Sequence, residues 1–211
     1  TADGGDTLVM EAALADGSNR TSPEEKGTGT FTVKAPAGVD SVTIGGVTVI
    51  DNGALVANAK VTTPLGNELV VTGYNATTGE VTYEYTLQDN EQHAAVQGKN
   101  DDLFDDLAVV VTDNSTQTAT GTLSVKIVDD VPMANADTDT VVWGTPNATG
   151  NVITGTDIAT GGDTNTTDGV ADVPGADGGL KVVTVAATTA GGAETPVSAT
   201  TATSIQGQHG V

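Results

Sequence analysis

Cysteine is absent from the 211 residues, basic side chains number only seven, and aromatic residues make up 3% of the chain. Without cysteine, neither a disulfide nor a thiolate metal site can hold the fold, and structural zinc loses its usual ligands. Seven basic residues against 28 acidic ones leave a formal charge of -21, a field that repels phosphate backbones and anionic lipid surfaces. Nucleic acid and membrane surfaces are therefore poor partner candidates, and neither is expected. No stretch approaches the roughly 20 apolar residues of a membrane helix, so membrane insertion is not expected, and the first residues lack the basic and apolar regions of a signal peptide. The expectation is a monomer whose export signal lies outside this sequence.

What is present is threonine, valine, glycine, alanine and aspartate, a composition of short β-branched strands between glycine turns. Apolar residues alternate with polar ones at Phe31 and Val33, at Val81, Tyr83, Tyr85 and Leu87, at Leu107, Val109 and Val111, and at Leu123, Val125 and Ile127. This period of two marks half-buried strands. The last two sets, joined by Asp113-Asn114-Ser115-Thr116-Gln117, form a hairpin around a polar turn. Further strands are expected at 39–44, 47–50 and 68–73, bounded by Gly45-Gly46 and Pro64-Leu65-Gly66. At least seven strands before residue 130 predict an all-β, Ig-like β-sandwich of Greek-key type over 1–131. An acidic, proline-containing linker then covers 132–139. Residues 140–211 are expected to be the N-terminal part of a second β-sandwich, partial or split, with strands at 140–143 and 180–187 around a long Gly/Asp/Thr stretch. So few apolar anchors bury too little surface to stand alone.

The acids recur in clusters of the kind that wrap hard cations, and calcium takes six to eight oxygens from carboxylates, carbonyls and water. One candidate set is Asp129, Asp130, Asp137 and Asp139, flanking the rigid Val131-Pro132 step. A second joins Glu11 and Asp16 to Asp89, Asp105 or Asp106, which a sandwich would bring to one end. A third, Asp157, Asp163, Asp168, Asp172 and Asp177, lies in glycine-rich chain where flexibility is the stronger reading. For each set, solvated surface acids without an ion remain the alternative.

Catalysis finds no motif. His93 and His209 lie far apart in polar sequence, and neither a Gly-x-Ser-x-Gly elbow nor a His-Glu-x-x-His pair occurs. The lone Trp143 fits a small core better than a sugar platform. The chain is not expected to be an enzyme.

Four segments resemble the Ig-like repeats of giant type I-secreted, RTX-type adhesins of Gram-negative bacteria. Glu11-Ala12-Ala13-Leu14-Ala15-Asp16-Gly17 is similar to their acidic opening, and Gly29-Thr30-Phe31-Thr32-Val33 to their first long strand. Thr63-Pro64-Leu65-Gly66 with Tyr83-Glu84-Tyr85-Thr86-Leu87-Gln88-Asp89-Asn90 looks like their middle. The run from Phe104-Asp105-Asp106-Leu107 to Val128-Asp129-Asp130-Val131-Pro132 looks like their closing hairpin and linker. Many such repeats have an Asp/Gly-rich hairpin turn, whereas 113–117 keeps one carboxylate, so no ion is expected there. The resemblance implies a calcium-binding extender module of a secreted, outer-membrane-anchored adhesin that serves adhesion or biofilm formation. Its partners would be neighbouring repeats of the same polypeptide, with any host or surface ligand bound by another domain. The alternative is a split scaffold that presents an inserted domain for a carbohydrate or peptide.

Overall fold

A computed structural model describes residues 7–93, 103–138, 150–157, 169–186 and 194–197. The chain divides into two compact units, residues 1–131 with 174–178, and residues 132–173 with 179–211.

The first unit is a β-sandwich. Its strands are β1 (Leu8–Met10), β2 (Lys26–Thr32), β3 (Val39–Ile44), β4 (Val47–Asp51), β5 (Ala54–Leu55), β6 (Lys60–Thr62), β7 (Glu68–Asn75), β8 (Glu80–Thr86), β9 (Leu103–Asp113) and β10 (Thr118–Val128). One sheet has the order β1-β10-β9-β3-β4-β5 and the other β2-β8-β7-β6. Non-consecutive strands β3 and β9 pair in the first sheet, as do β2 and β8 in the second. That interleaving is the Ig-like arrangement, with β10-β9-β3 opposed to β2-β8-β7.

Alternation sets the faces. Val81, Tyr83 and Tyr85 of β8 point inward against Leu107 and Val109 of β9 and Leu123, Val125 and Ile127 of β10, and all are buried. The β9–β10 hairpin pairs Leu123 with Leu107 and closes at Asp113, whose Oδ1 accepts the N–H groups of Ser115 and Gln117 at 2.8 and 2.9 Å. That single carboxylate is consumed by the turn itself. Gly45 and Gly46 have φ of 55° and 83°, and Asn52 and Gly53 have 49° and 69°. Both pairs are two-residue connections with positive φ throughout, the form whose twist matches adjoining antiparallel strands.

Register also fixes what meets at one end of the sandwich. β1 runs parallel to β10 with Met10 opposite Val128. The residues one step further on, Glu11 and Asp129, therefore leave the sheet side by side.

In the second unit, β11 (Gly150–Asn151) pairs with β12 (Thr156–Asp157), and β13 (Thr184–Val185) with β14 (Thr195–Pro196). Residues of the expected linker are engaged inside this unit: Met133 bridges Val173, and the Asn135 N–H donates to Asp172 Oδ1 at 2.8 Å. The strand expected over 180–187 is confined to Thr184–Val185. Gly178 and Gly179, both at positive φ, precede it, and its partner ends at Pro196, which has no N–H to extend a ladder. The strand expected at 140–143, with Trp143, lies outside the described residues. Among the described residues every buried hydrophobic side chain belongs to the first unit.

Candidate metal centre

Glu11 opens a single 3-10 turn, Glu11–Ala13, held by the Leu14 N–H donating to the Glu11 carbonyl at 2.9 Å. Gly17 lies against the back of this turn, where a Cβ would come within 2.5 Å of the Ala12 carbonyl oxygen and closer still to that of Glu11. Only glycine permits that approach. The next residue, Ser18, donates its N–H and hydroxyl to the two carboxylate oxygens of Asp130, at 2.7 and 2.5 Å. Asp130 is thus a strut that ties the end of β10 to the Glu11 turn.

The segment after β8 supplies the third side. Asn67, buried between β6 and β7, accepts the Gln88 N–H at 2.8 Å and donates to Glu91 Oε1 at 2.6 Å. So anchored, the segment aims two groups at Glu11. The Glu91 N–H donates to Glu11 Oε1 at 2.6 Å, and His93 Nε2 lies 3.1 Å from the same oxygen. The side chains of His93 and Glu11 are 4% and 0% exposed. Asp129 completes the group, and its ligand atom, that of Glu11 and that of His93 all lie within 4.8 Å of one another.

One atom in this arrangement has no partner. Glu11 Oε2 is buried and makes no hydrogen bond of good geometry, although the Asp130 N–H also acts on the Glu11 carboxylate. A buried carboxylate oxygen without a donor is strongly disfavoured, and a cation relieves it directly. Burial pushes the Glu11 carboxyl above its ordinary value, against the pull of the Glu91 N–H, of His93 and of the Asp130 N–H. The Glu91 carboxyl is raised too, first by burial and then by the charge of Asp105, while Asn67 opposes the shift. Both acids hold protons more tightly when folded, so their ionisation weakens the fold. The penalty is absent below about pH 4.5 and grows as pH rises through the elevated folded values. Metal-free protein is therefore expected to melt higher at pH 5 than at pH 7.5. Relief of the general negative charge acts in the same direction, so the site's share is the part of that slope lost in Glu11→Gln, read by calorimetry.

The candidate residues fall out as follows. Glu11 and Asp129, taken from two different sets, meet in one group. Asp105 is fully buried near Glu91, its Oδ2 accepting the Tyr85 hydroxyl at 2.7 Å and its Oδ1 unpartnered. Asp16, Asp89 and Asp106 are exposed, Asp106 accepting the Ser124 hydroxyl at 2.5 Å. Asp137 belongs to the second unit, with Oδ1 buried and unpartnered, and Asp139 lies outside the described residues, as do Asp163 and Asp168. Asp172 and Asp177 accept hydrogen bonds from Asn135 and Asn90 respectively. His93 is the member that sequence reasoning missed, along with Glu91, whose backbone N–H braces Glu11. Nothing local marks them, since Asn67, from the β6–β7 connection, sets their position.

Comparison of the chain with protein-family models, with curated proteins and with solved structures finds no match in any of the three.

Proposed function

We propose that the chain is a calcium-stiffened structural module of a large secreted bacterial surface adhesin, one of a tandem series that extends an adhesive part away from the cell. The observation that carries the reading is the buried, partnerless Oε2 of Glu11, next to Asp129 where the chain leaves the sandwich. The donors fit the ion: Glu11 and Asp129 offer carboxylate oxygens, and backbone carbonyls and water complete a coordination number of six to eight. The resemblance of four segments to RTX-type repeats supplies the biological setting of type I secretion, an outer-membrane anchor and biofilm or surface adhesion.

The mechanism is mechanical. Without an ion, carboxylates converging at one end of the unit repel one another, and Glu11 is buried uncompensated. With one, that end is ordered, and a string of such modules behaves as a rod. Low calcium inside the cell and higher calcium outside would delay ordering until after export. The test is melting and small-angle scattering of the 211-residue chain in millimolar calcium and in chelator. Calcium is expected to raise the melting temperature and to change the scattering profile. Identical curves in the two buffers would remove the calcium mechanism.

A further inference from the structure

We propose that the Glu11–His93–Asp129 group also accepts a borderline first-row divalent cation of the zinc class, with His93 as the ligand that selects it over calcium. The inference rests on the preceding reading only in placing a cation at this end of the sandwich.

Ligand chemistry points there first. Calcium is served by oxygen donors and gains little from imidazole, whereas two carboxylate oxygens and one imidazole nitrogen suit zinc, cobalt and their neighbours. Three protein ligands with a further position left to water is a common zinc arrangement. Two ligands bound at 2.0–2.1 Å to a tetrahedral ion stand roughly 3.3 Å apart. His93 Nε2 and Glu11 Oε1 are 3.1 Å apart, already near that spacing.

The second line is burial. A histidine in a surface acid cluster would be unremarkable, but here the His93 side chain is 4% exposed, and it faces a fully buried carboxylate with one oxygen unpartnered. In the metal-free protein His93 Nε2 and Glu11 Oε1 are at hydrogen-bond distance, as they are when Nε2 carries a proton. A bound ion replaces that proton: the Nε2 lone pair is donated to the metal, and the proton passes to solvent. An ion held by the Glu11 carboxylate through both oxygens also gives Oε2 the partner it lacks.

The third is pre-organisation. Asn67 holds the His93 segment at Gln88 and Glu91, Gly17 and Leu14 fix the turn carrying Glu11, and Ser18 grips Asp130 next to Asp129. The chain beside each ligand is thus held by hydrogen bonds or close contacts outside the group, which lowers the cost of ordering the site when an ion binds.

Calorimetric titration of the chelator-stripped 211-residue chain with Zn2+ and with Ca2+ tests this, for wild type, His93→Ala, His93→Gln and the control His209→Ala. One zinc per chain is expected, weakened at least tenfold in both His93 variants and unchanged in His209→Ala, while calcium affinity stays within about twofold. Co2+ bound to wild type should give visible bands of a nitrogen-containing, low-coordinate site, lost in His93→Gln. That spectrum is read on the unsubstituted protein, so it decides the matter even if a His93 variant fails to fold. Zinc affinity unchanged in both His93 variants, or a cobalt spectrum of oxygen ligands alone, overturns the proposal. Equal loss of zinc and calcium in His93→Gln also overturns it, because His93 would then position the acids without selecting the ion; the calcium reading would survive. Zinc binding through His93 with no calcium response would leave this proposal standing and remove the calcium one.

Discussion

Glu11→Gln is expected to abolish the calcium response of the chain while leaving its metal-free stability equal to or above that of wild type. In the absence of an ion the substitution removes a buried charge and supplies Nε2–H donors beside Asp129, while its carbonyl still accepts the Glu91 N–H now made to Glu11 Oε1. In the presence of calcium the order reverses. An ion that binds only the folded state at a concentration 100 times its dissociation constant stabilises by about 2.7 kcal/mol. For a unit of this size that corresponds to a rise of roughly 10 °C in melting temperature. Wild type should show it and Glu11→Gln should not, in paired melts followed by circular dichroism. An undiminished rise in the variant would place the ion away from Glu11. The reversal is the informative part, since a purely structural role for Glu11 would lower stability in both buffers.

Much of the sandwich is legible because its long strands alternate cleanly. The expected sets at Val81–Leu87, Leu107–Val111 and Leu123–Ile127 face one core, and the β9–β10 hairpin pairs in the register their inward residues require. Short edge elements escape, because β1, β5 and β6 are two or three residues long and carry no measurable period. That omission has consequences for the site. Glu11 and Asp129, read from sequence as members of separate clusters, converge only because β1 pairs parallel with β10, a contact between residues more than a hundred positions apart. His93 is a more complete failure. The residues before it, Gln88 to Gln92, are polar and without periodicity, so its burial follows from Asn67, whose side chain organises the loop from a different connection. Asp105 is the opposite case, for the signal is present. It lies two residues before Leu107, in phase with the inward face of β9, while the apolar Phe104 points outward and is 46% exposed. An acid at an inward position beside an exposed phenylalanine inverts the usual preference, and such inversions mark positions set by something other than core packing.

That inversion leads to the second large effect, a coupling between Tyr85 and Asp105. Both are fully buried, and the Tyr85 hydroxyl donates to Asp105 Oδ2 while Oδ1 has no partner. Burial, reinforced by the hydrogen bond and charge of Asp105, pushes the Tyr85 hydroxyl far up, so it remains a donor at any ordinary pH. Tyr85→Phe removes the one hydrogen bond to a buried carboxylate and leaves both its oxygens unsatisfied. Hydrogen bonds to charged groups contribute about 1.5–3 kcal/mol, and an uncompensated buried charge costs more, so a loss of about 3 kcal/mol is expected. Asp105→Val alone should cost less, because Thr63 and Asn67 side chains also reach the Tyr85 hydroxyl and a β-branched residue suits this strand position. Combining the two removes donor and acceptor together. The double variant should then be more stable than Tyr85→Phe by about 2 kcal/mol, a rescue by a second substitution that additive effects cannot produce. Urea midpoints of the four proteins in chelator measure it, and a double variant weaker than Tyr85→Phe would refute the coupling. If the rescue occurs, stability alone does not explain a carboxylate at 105. Its charge opposes ionisation of the Glu91 carboxyl, so the rescued protein, freed of that repulsion, should hold Glu91 ionised more readily than wild type does.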